Sequence, residues 1–430
     1  MFQSIIKYIT PFLLIGSLVF AQNKYSLNDC KKLALKNNIK LNNSTLSVNA
    51  AEEAKKNAYT KYFPNLSISG NYFKSSDKLM VNKLNLDGNV LSLPVLDEVL
   101  SGSVNLMQPL YTGGRIKTGN ELAELDIDVK TLSKALIRNE VLKNTEQLFW
   151  QLIELKEKHK TIISYENLLT KLYKQVSDAK AAGLATRNDL LKVKISQSEV
   201  KINKTKLENG IELSRLALCQ YIGLPMDKNS LFEDVITTLS LPEQFFVDPV
   251  KALSKRKETR LLEKGVKAEE LKTDLTRGEL LPTLSVGVNG FYLDVLDNEG
   301  EFYTSFMGNV SIPISDWWGG SHALSEREIK EQIAVNQMKD SKELMVLQIH
   351  KAWNDLVEKY KQVNLAEETV EQTTENLSLN EDSYNNGLTE ISDLLQAKAK
   401  YQESLDRLIE AKASYKIQIA VYLQVTGSDL

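Results

Sequence analysis

Hydrophobic positions along this chain recur in two rhythms. Over two very long stretches, about Ile116 to Ala182 and about Ser321 to Asn386, they step by three and four. Leu122, Leu125, Val129, Leu132 and Leu136 form one such run, and Leu148, Leu152 and Leu155 another. This spacing makes one helical stripe and favours laterally packed, supercoiled helices. Neither stretch holds a proline, and Gly119, in the first turn of the first, is their only glycine. At about 1.5 Å per residue each helix reaches on the order of 100 Å. Return helices follow, about Asn188 to Ile222 and about Glu390 to Val425. The seam of the second runs Leu394, Tyr401, Leu405, Leu408, Tyr415, Ile419, Tyr422.

Elsewhere the rhythm becomes strict alternation. Leu66, Ile68, Gly70 and Tyr72 alternate with Ser67, Ser69 and Asn71, and Val104, Leu106, Gln108 and Leu110 with Ser103, Asn105 and Met107. Leu284 to Tyr292 and Phe302 to Ile312 repeat the pattern. Alternation over about nine to eleven residues suits a transmembrane barrel strand, and by itself suits a half-buried soluble strand equally. A soluble sheet, however, needs a cover for its apolar face, and these helices are too long and regular to fold back on it. Tyr72, Phe73, Phe291, Tyr292, Phe302 and Tyr303 lie near strand ends, where an interfacial aromatic girdle is expected.

The chain also repeats itself. Gly183-Leu184-Ala185-Thr186-Arg187-Asn188-Asp189-Leu190-Leu191 resembles Gly387-Leu388-Thr389-Glu390-Ile391-Ser392-Asp393-Leu394-Leu395. The same offset carries Gln220 to Gln424 and Gly223 to Gly427. With small insertions, Trp150 pairs with Trp353, Gly113-Gly114 with Gly319-Gly320, and Phe63-Pro64 with Leu281-Pro282. Two copies of about 200 residues follow. Each holds a helix ending before a proline (Ser26 to Lys61, and about Asp248 to Gly278), two strands, a glycine pair, a long helix, a glycine turn and a return helix. The predicted organisation is a first repeat over 22–223, a linker over 224–249 with no helical period, and a second repeat over 250–430.

Residues 1–21 read as a secretory signal: Lys7, an apolar run from Tyr8 to Phe20 too short to span a bilayer as a helix, and Val19-Phe20-Ala21 as a small-x-small cleavage site. Beyond it no apolar stretch has the length of a membrane helix, so membrane entry requires strands. Fifty-three basic residues against 56 acidic ones give a formal charge of −3, which argues against a general nucleic-acid binder. His159, His322 and His350 are scattered without acidic or cysteine partners at ligand spacing, so no metal site is expected. No catalytic constellation or phosphate-binding fingerprint appears, so neither an enzyme nor a cofactor is expected.

The duplicated helix–strand–strand–helix–helix plan resembles the TolC family of bacterial outer-membrane efflux proteins over nearly the whole mature chain. The motifs are Gln108-Pro109-Leu110-Tyr111-Thr112-Gly113-Gly114-Arg115, Pro313-Ile314-Ser315-Asp316-Trp317-Trp318-Gly319-Gly320, and the two Gly-Leu turns with an Asp six residues after the glycine. The resemblance implies a mainly α fold with a membrane β part: a duplicated long-helix α-barrel protomer bearing four transmembrane strands, completed as a homotrimeric 12-stranded barrel. Four strands cannot close a barrel alone, since the smallest membrane barrels have about eight. The implied function is a passive exit duct of a tripartite efflux or type I secretion system, in the outer membrane with its helical part in the periplasm. Its partners would be outer-membrane lipid, a periplasmic adaptor (membrane fusion protein) and an inner-membrane pump. A soluble periplasmic coiled-coil adaptor or scaffold would explain the helices but not the strands. The exported substrate stays open.

The resemblance also implies sites. Both Gly-Leu turns would lie at the periplasmic tip, with Gly183, Leu184, Gly387 and Leu388 as the adaptor contact. The gate would use Asp393, Tyr384, which stands three residues before the glycine, and Asp189. The family's Arg two after the glycine is Thr389 here, and its second acidic position is Gln396, so a double acidic ring is not expected and Arg187 is the candidate cation. The resemblance also brings the helix ends bearing Cys30 and Cys219 together, which allows a disulfide given suitable geometry.

Overall fold

The computed structural model describes residues 24–76, 81–86, 89–94, 98–226, 230–234, 239–295 and 300–428. The signal segment expected over 1–21 lies outside them. In chain order the elements are β1 (Lys24–Tyr25), α1 (Leu27–Asn37), α2 (Ile39–Tyr59), β2 (Asn65–Lys74), β3 (Val81–Leu86), β4 (Asn89–Pro94), β5 (Glu98–Tyr111), α3 (Arg115–Ala181) and α4 (Arg187–Ile222). Then come β6 (Leu231–Phe232), α5 (Pro249–Lys255), α6 (Lys257–Glu279), β7 (Thr283–Val295), β8 (Glu301–Ser311), α7 (Trp317–Asn385) and α8 (Ile391–Thr426). The helix–strand–strand–helix–helix order therefore occurs twice, with the hairpin β3–β4 added in the first copy.

Three expectations need adjustment. The helix expected over Ser26 to Lys61 breaks at Asn38, whose side chain accepts from the amides of Lys40 (3.0 Å) and Leu41 (3.3 Å) and so caps α2. This is ordinary asparagine chemistry, since its carbonyl competes with the backbone for donors. The helix expected from Asp248 breaks at Arg256, which is extended and buried, with its guanidinium bonded to Gln348 (3.0 Å) and Glu258 (2.9 Å). The glycine pairs also differ. Gly113 and Gly114 adopt φ of 63° and 81° and turn the chain from β5 into α3. Gly319 and Gly320 are ordinary helical residues inside α7, because the Trp317 indole donates to the Leu280 carbonyl at 2.8 Å and helps fix the helix start upstream of them.

The fold divides into two compact units, neither of which is one sequence repeat. The first gathers the described residues of Met1–Lys36, Thr145–Leu239 and Val363–Lys416. Its core holds Ile162, Leu169, Leu172 and Val176 of α3, Val193 and Val200 of α4, Leu377 of α7, and Ile391, Leu394 and Ala397 of α8. Each large apolar side chain buried there contributes about 1.5–3 kcal/mol. Elsewhere in this unit Phe149 and Trp150 meet edge to face at 5.5 Å, with the Lys416 ammonium 5.7 Å from the Trp150 ring. Cys30 and Cys219 are both fully buried here as thiols, near enough that Cys219 contributes to raising Cys30. Burial is the larger cause, followed by the Asp29 charge, and together they push the Cys30 thiol up to about 12.

The second unit gathers Asn37–Asn144, Ser240–Gln362 and the described residues of Ile417–Leu430. Trp353, the sequence counterpart of Trp150, packs there between Phe246 (4.9 Å) and Tyr422 (5.5 Å), and the Tyr422 hydroxyl accepts from the Val247 amide at 3.1 Å. This unit also carries an antiparallel sheet of order β2-β5-β7-β8, in which both copies contribute adjacent strands. The register is continuous except for an irregularity between Pro109 and Tyr111, as expected where proline lacks the ladder donor.

Candidate functional site

Two parts of the structure carry the residues for which a site was expected. The first is the pair of turns, both held by the first unit's core. Gly183 (φ 77°) and Gly387 (φ 72°) end α3 and α7 in the left-handed conformation that glycine tolerates. The following amides reach back into each helix, Leu184 to Ala179 (2.8 Å) and Leu388 to Ser383 (2.8 Å). The glycine amides bond Lys180 and Tyr384 at 3.0 Å, completing two Schellman motifs. The leucines themselves project outward, 84% and 77% exposed. Lys192 of α4 donates to Ser392 of α8 at 3.3 Å and links the turns.

The gate candidates separate into two groups. Asp189 and Tyr384 come together. Tyr384 packs against the core, and burial and then the Asp189 charge raise its phenol. Asp189 is held below the ordinary carboxylate range by the Thr186 hydroxyl (2.7 Å) and amide (2.9 Å), and Thr186 in turn accepts from the Asp189 amide, a capping box for α4. Asp393 has Glu390 where Asp189 has Thr186. Its carboxylate is exposed and makes no hydrogen bond or ion pair among the described residues, and Gln396 is exposed one turn on. Arg187 is exposed at the start of α4 and makes no ion pair among the described residues. Thr389, at the position of the family's arginine, leaves its buried hydroxyl without a partner.

Sequence reading missed the polar ties on α8. Lys398 is buried and pairs with Glu381 of α7, beside a polar groove of about 450 Å³ that Lys171, Gln175 and Tyr384 also line. Farther along, Asp406 and Gln402 bond Thr161 of α3 (3.0 and 2.9 Å), and Lys158 bridges Glu154 and Glu410. Burial raises the Asp406 carboxyl against those hydrogen bonds. A signal existed for Lys398. It stands one turn after Leu394, at a position of the apolar seam.

The second part is the sheet. Its register puts Leu66, Ile68, Leu106, Val288, Phe306 and Val310 on one face. This face is uncovered in the protomer, with Ile68 77% and Phe306 83% exposed. The other face is rich in serine and asparagine: Ser69 and Ser103 hydroxyls bond at 2.8 Å, and Asn289 donates to Asn105. The expected aromatic girdle divides between the faces. Tyr72, Tyr292 and Phe302 lie on the apolar face, whereas Phe73, Phe291 and Tyr303 lie on the polar one. Neighbours in a strand point oppositely, so three of the six cannot face lipid. β2 and β8 are open edges of this sheet. Among the described residues no helix is long and apolar enough to cross a membrane, and no cluster of potential metal ligands occurs.

Comparison with known proteins agrees with the motif resemblance. Residues 249–427 match the outer membrane efflux protein family. No curated protein matches the chain by sequence. Among solved structures, the Campylobacter jejuni CmeC outer membrane channel aligns with a TM-score of 0.77 at 14% identity, covering 93% of this chain and 85% of that one. The Vibrio cholerae outer membrane protein VceC aligns at 0.75 and 15%, covering 94% and 96%. The open state of the Neisseria gonorrhoeae MtrE outer membrane channel aligns at 0.73 and 16%, covering 94% and 89%. At these identities the likeness is one of fold.

Proposed function

We propose that this chain is the protomer of an outer-membrane efflux channel that works as a homotrimer with a periplasmic adaptor and an inner-membrane pump. One observation carries the reading: a four-stranded sheet with an exposed apolar face, a hydroxyl–amide face and two open edges, in a chain whose second half matches the outer membrane efflux family. An apolar face of this extent is costly in water and suits lipid. Backbone groups on the open edges must find partners in a bilayer, which a ring of copies supplies by pairing β2 of one with β8 of the next. The soluble adaptor reading leaves that face and those edges without a role.

The chain supplies no chemistry in this reading. The serine and asparagine face lines a wet pore, the exposed leucines of the two turns receive the adaptor, and Asp393 with Gln396 faces the narrow end of the duct. Native mass measurement in detergent, with conductance in a planar bilayer, tests it. A trimer that passes ions is expected. A stable monomer with intact strand signal defeats the channel reading.

A further inference from the structure

We infer that Phe291, Tyr303 and Glu301 form a recognition site for lipophilic aromatic organic cations in the pore lining, an inference that rests on the channel reading above. The sheet register builds the site. Phe291 of β7 and Tyr303 of β8 are direct cross-strand partners, and Glu301 lies two residues before Tyr303, so all three side chains share one face. That face is otherwise rich in serine and asparagine, with Phe73, Met107, Leu293 and Met307 as its larger apolar members. Glu301 is its one carboxylate among the described residues, and no lysine or arginine accompanies it. All three residues are exposed.

Phe291 and Tyr303 are 37% and 54% exposed, and Glu301 is exposed beside them. Neither Phe291 nor Tyr303 stacks on another ring or lies under a cation among the described residues, and Glu301 makes no ion pair there. The Tyr303 hydroxyl donates to the Glu301 carboxylate, which fixes the acid beside the ring. The opposite face shows the contrast. There Glu98 accepts from Tyr72 at 2.9 Å but is also matched by Lys74 at 3.0 Å. An aromatic pair beside an unmatched carboxylate is what recognises an organic cation: the rings offer their negative faces and the acid offers charge.

The test is current through the full-length channel in a planar bilayer, with tetraphenylphosphonium or the isosteric anion tetraphenylborate added from the side of the strand mouth. The cation should block and the anion should not. Phe291→Leu with Tyr303→Leu should weaken the block about tenfold, and Glu301→Gln, which leaves the strand pairing intact, about threefold. Equal block in wild type and E301Q, or equal block by the anion, overturns the site while the unblocked conductance still supports the duct. A wild-type protein that passes no current overturns the duct reading and this inference with it.

Discussion

Asp189 accepts from the Thr186 hydroxyl at 2.7 Å, whereas Asp393, its counterpart in the second repeat, has Glu390 in place of that threonine. One carboxylate is therefore a helix cap and the other is solvent-facing. Thr186→Ala should cost about 1 kcal/mol of stability at neutral pH. Because hydrogen bonding lowers the Asp189 carboxyl in the folded state, the box contributes above the ordinary aspartate value of about 3.9. The contribution is lost as pH falls through the lower folded value. Thermal unfolding followed by circular dichroism should show T186A losing stability at pH 7 and the difference shrinking in acid. An unchanged melting temperature at pH 7 would refute the cap.

Asp393 should instead act on ions. Three copies converging on a symmetry axis would repel one another and attract multivalent cations. Asp393→Asn should relieve cation block of single-channel current, while Glu→Gln changes on outward helix faces should not. With Gln396 in place of a second acid, the block should be modest even in wild type. Unaltered block in D393N would reduce Asp393 to a first-turn carboxylate favoured by the helix dipole.

Leu184 and Leu388 make almost no contacts within the protomer, so replacing them should leave folding intact. Placing Asp at both should abolish export by cells while the protein still reaches the outer membrane. Each single change should have a smaller effect, since the two knobs are alike. Export persisting in the double variant would remove the turns from the adaptor contact.

The sheet faces give an asymmetric pair of substitutions. Phe306→Arg, on the apolar face, should cost about 2–4 kcal/mol of membrane stability. Ser305→Arg, its neighbour on the polar face, should cost far less and alter conductance. Urea titration of the protein in lipid vesicles checks both, and similar losses would contradict the assignment of faces.

Cys30 and Cys219 should resist alkylation in the native protein at pH 8. Burial blocks the reagent, and a Cys30 thiol raised to about 12 holds little thiolate. Both should react after denaturation in the presence of reductant. Ready labelling of the native protein would show that this part of the first unit opens.

The sequence by itself determined the order of the long helices and of the four main strands, but not the hairpin β3–β4 or the short pair β1 and β6. Repeated glycine turns, uninterrupted three-and-four spacing and period-two alternation are local signals, each written in side chains a few residues apart, and the strands and long helices fall where these signals place them. Breaks that depend on one side chain's partner were harder to read. Asn38 breaks a helix through a side-chain oxygen that accepts from the Lys40 and Leu41 amides, and Trp317 helps start one through a carbonyl distant in sequence. What only the tertiary structure decided was pairing. Register assigned Phe291 and Tyr303 to the polar face and Tyr292 and Phe302 to the apolar one, since a shift of one residue exchanges the faces of a strand. Packing gave Trp150 and Trp353, equivalent in the repeat, different neighbours in different units. It also buried Lys398, at an apolar position of its seam, against Glu381, because a lysine there must find its counter-charge on another helix.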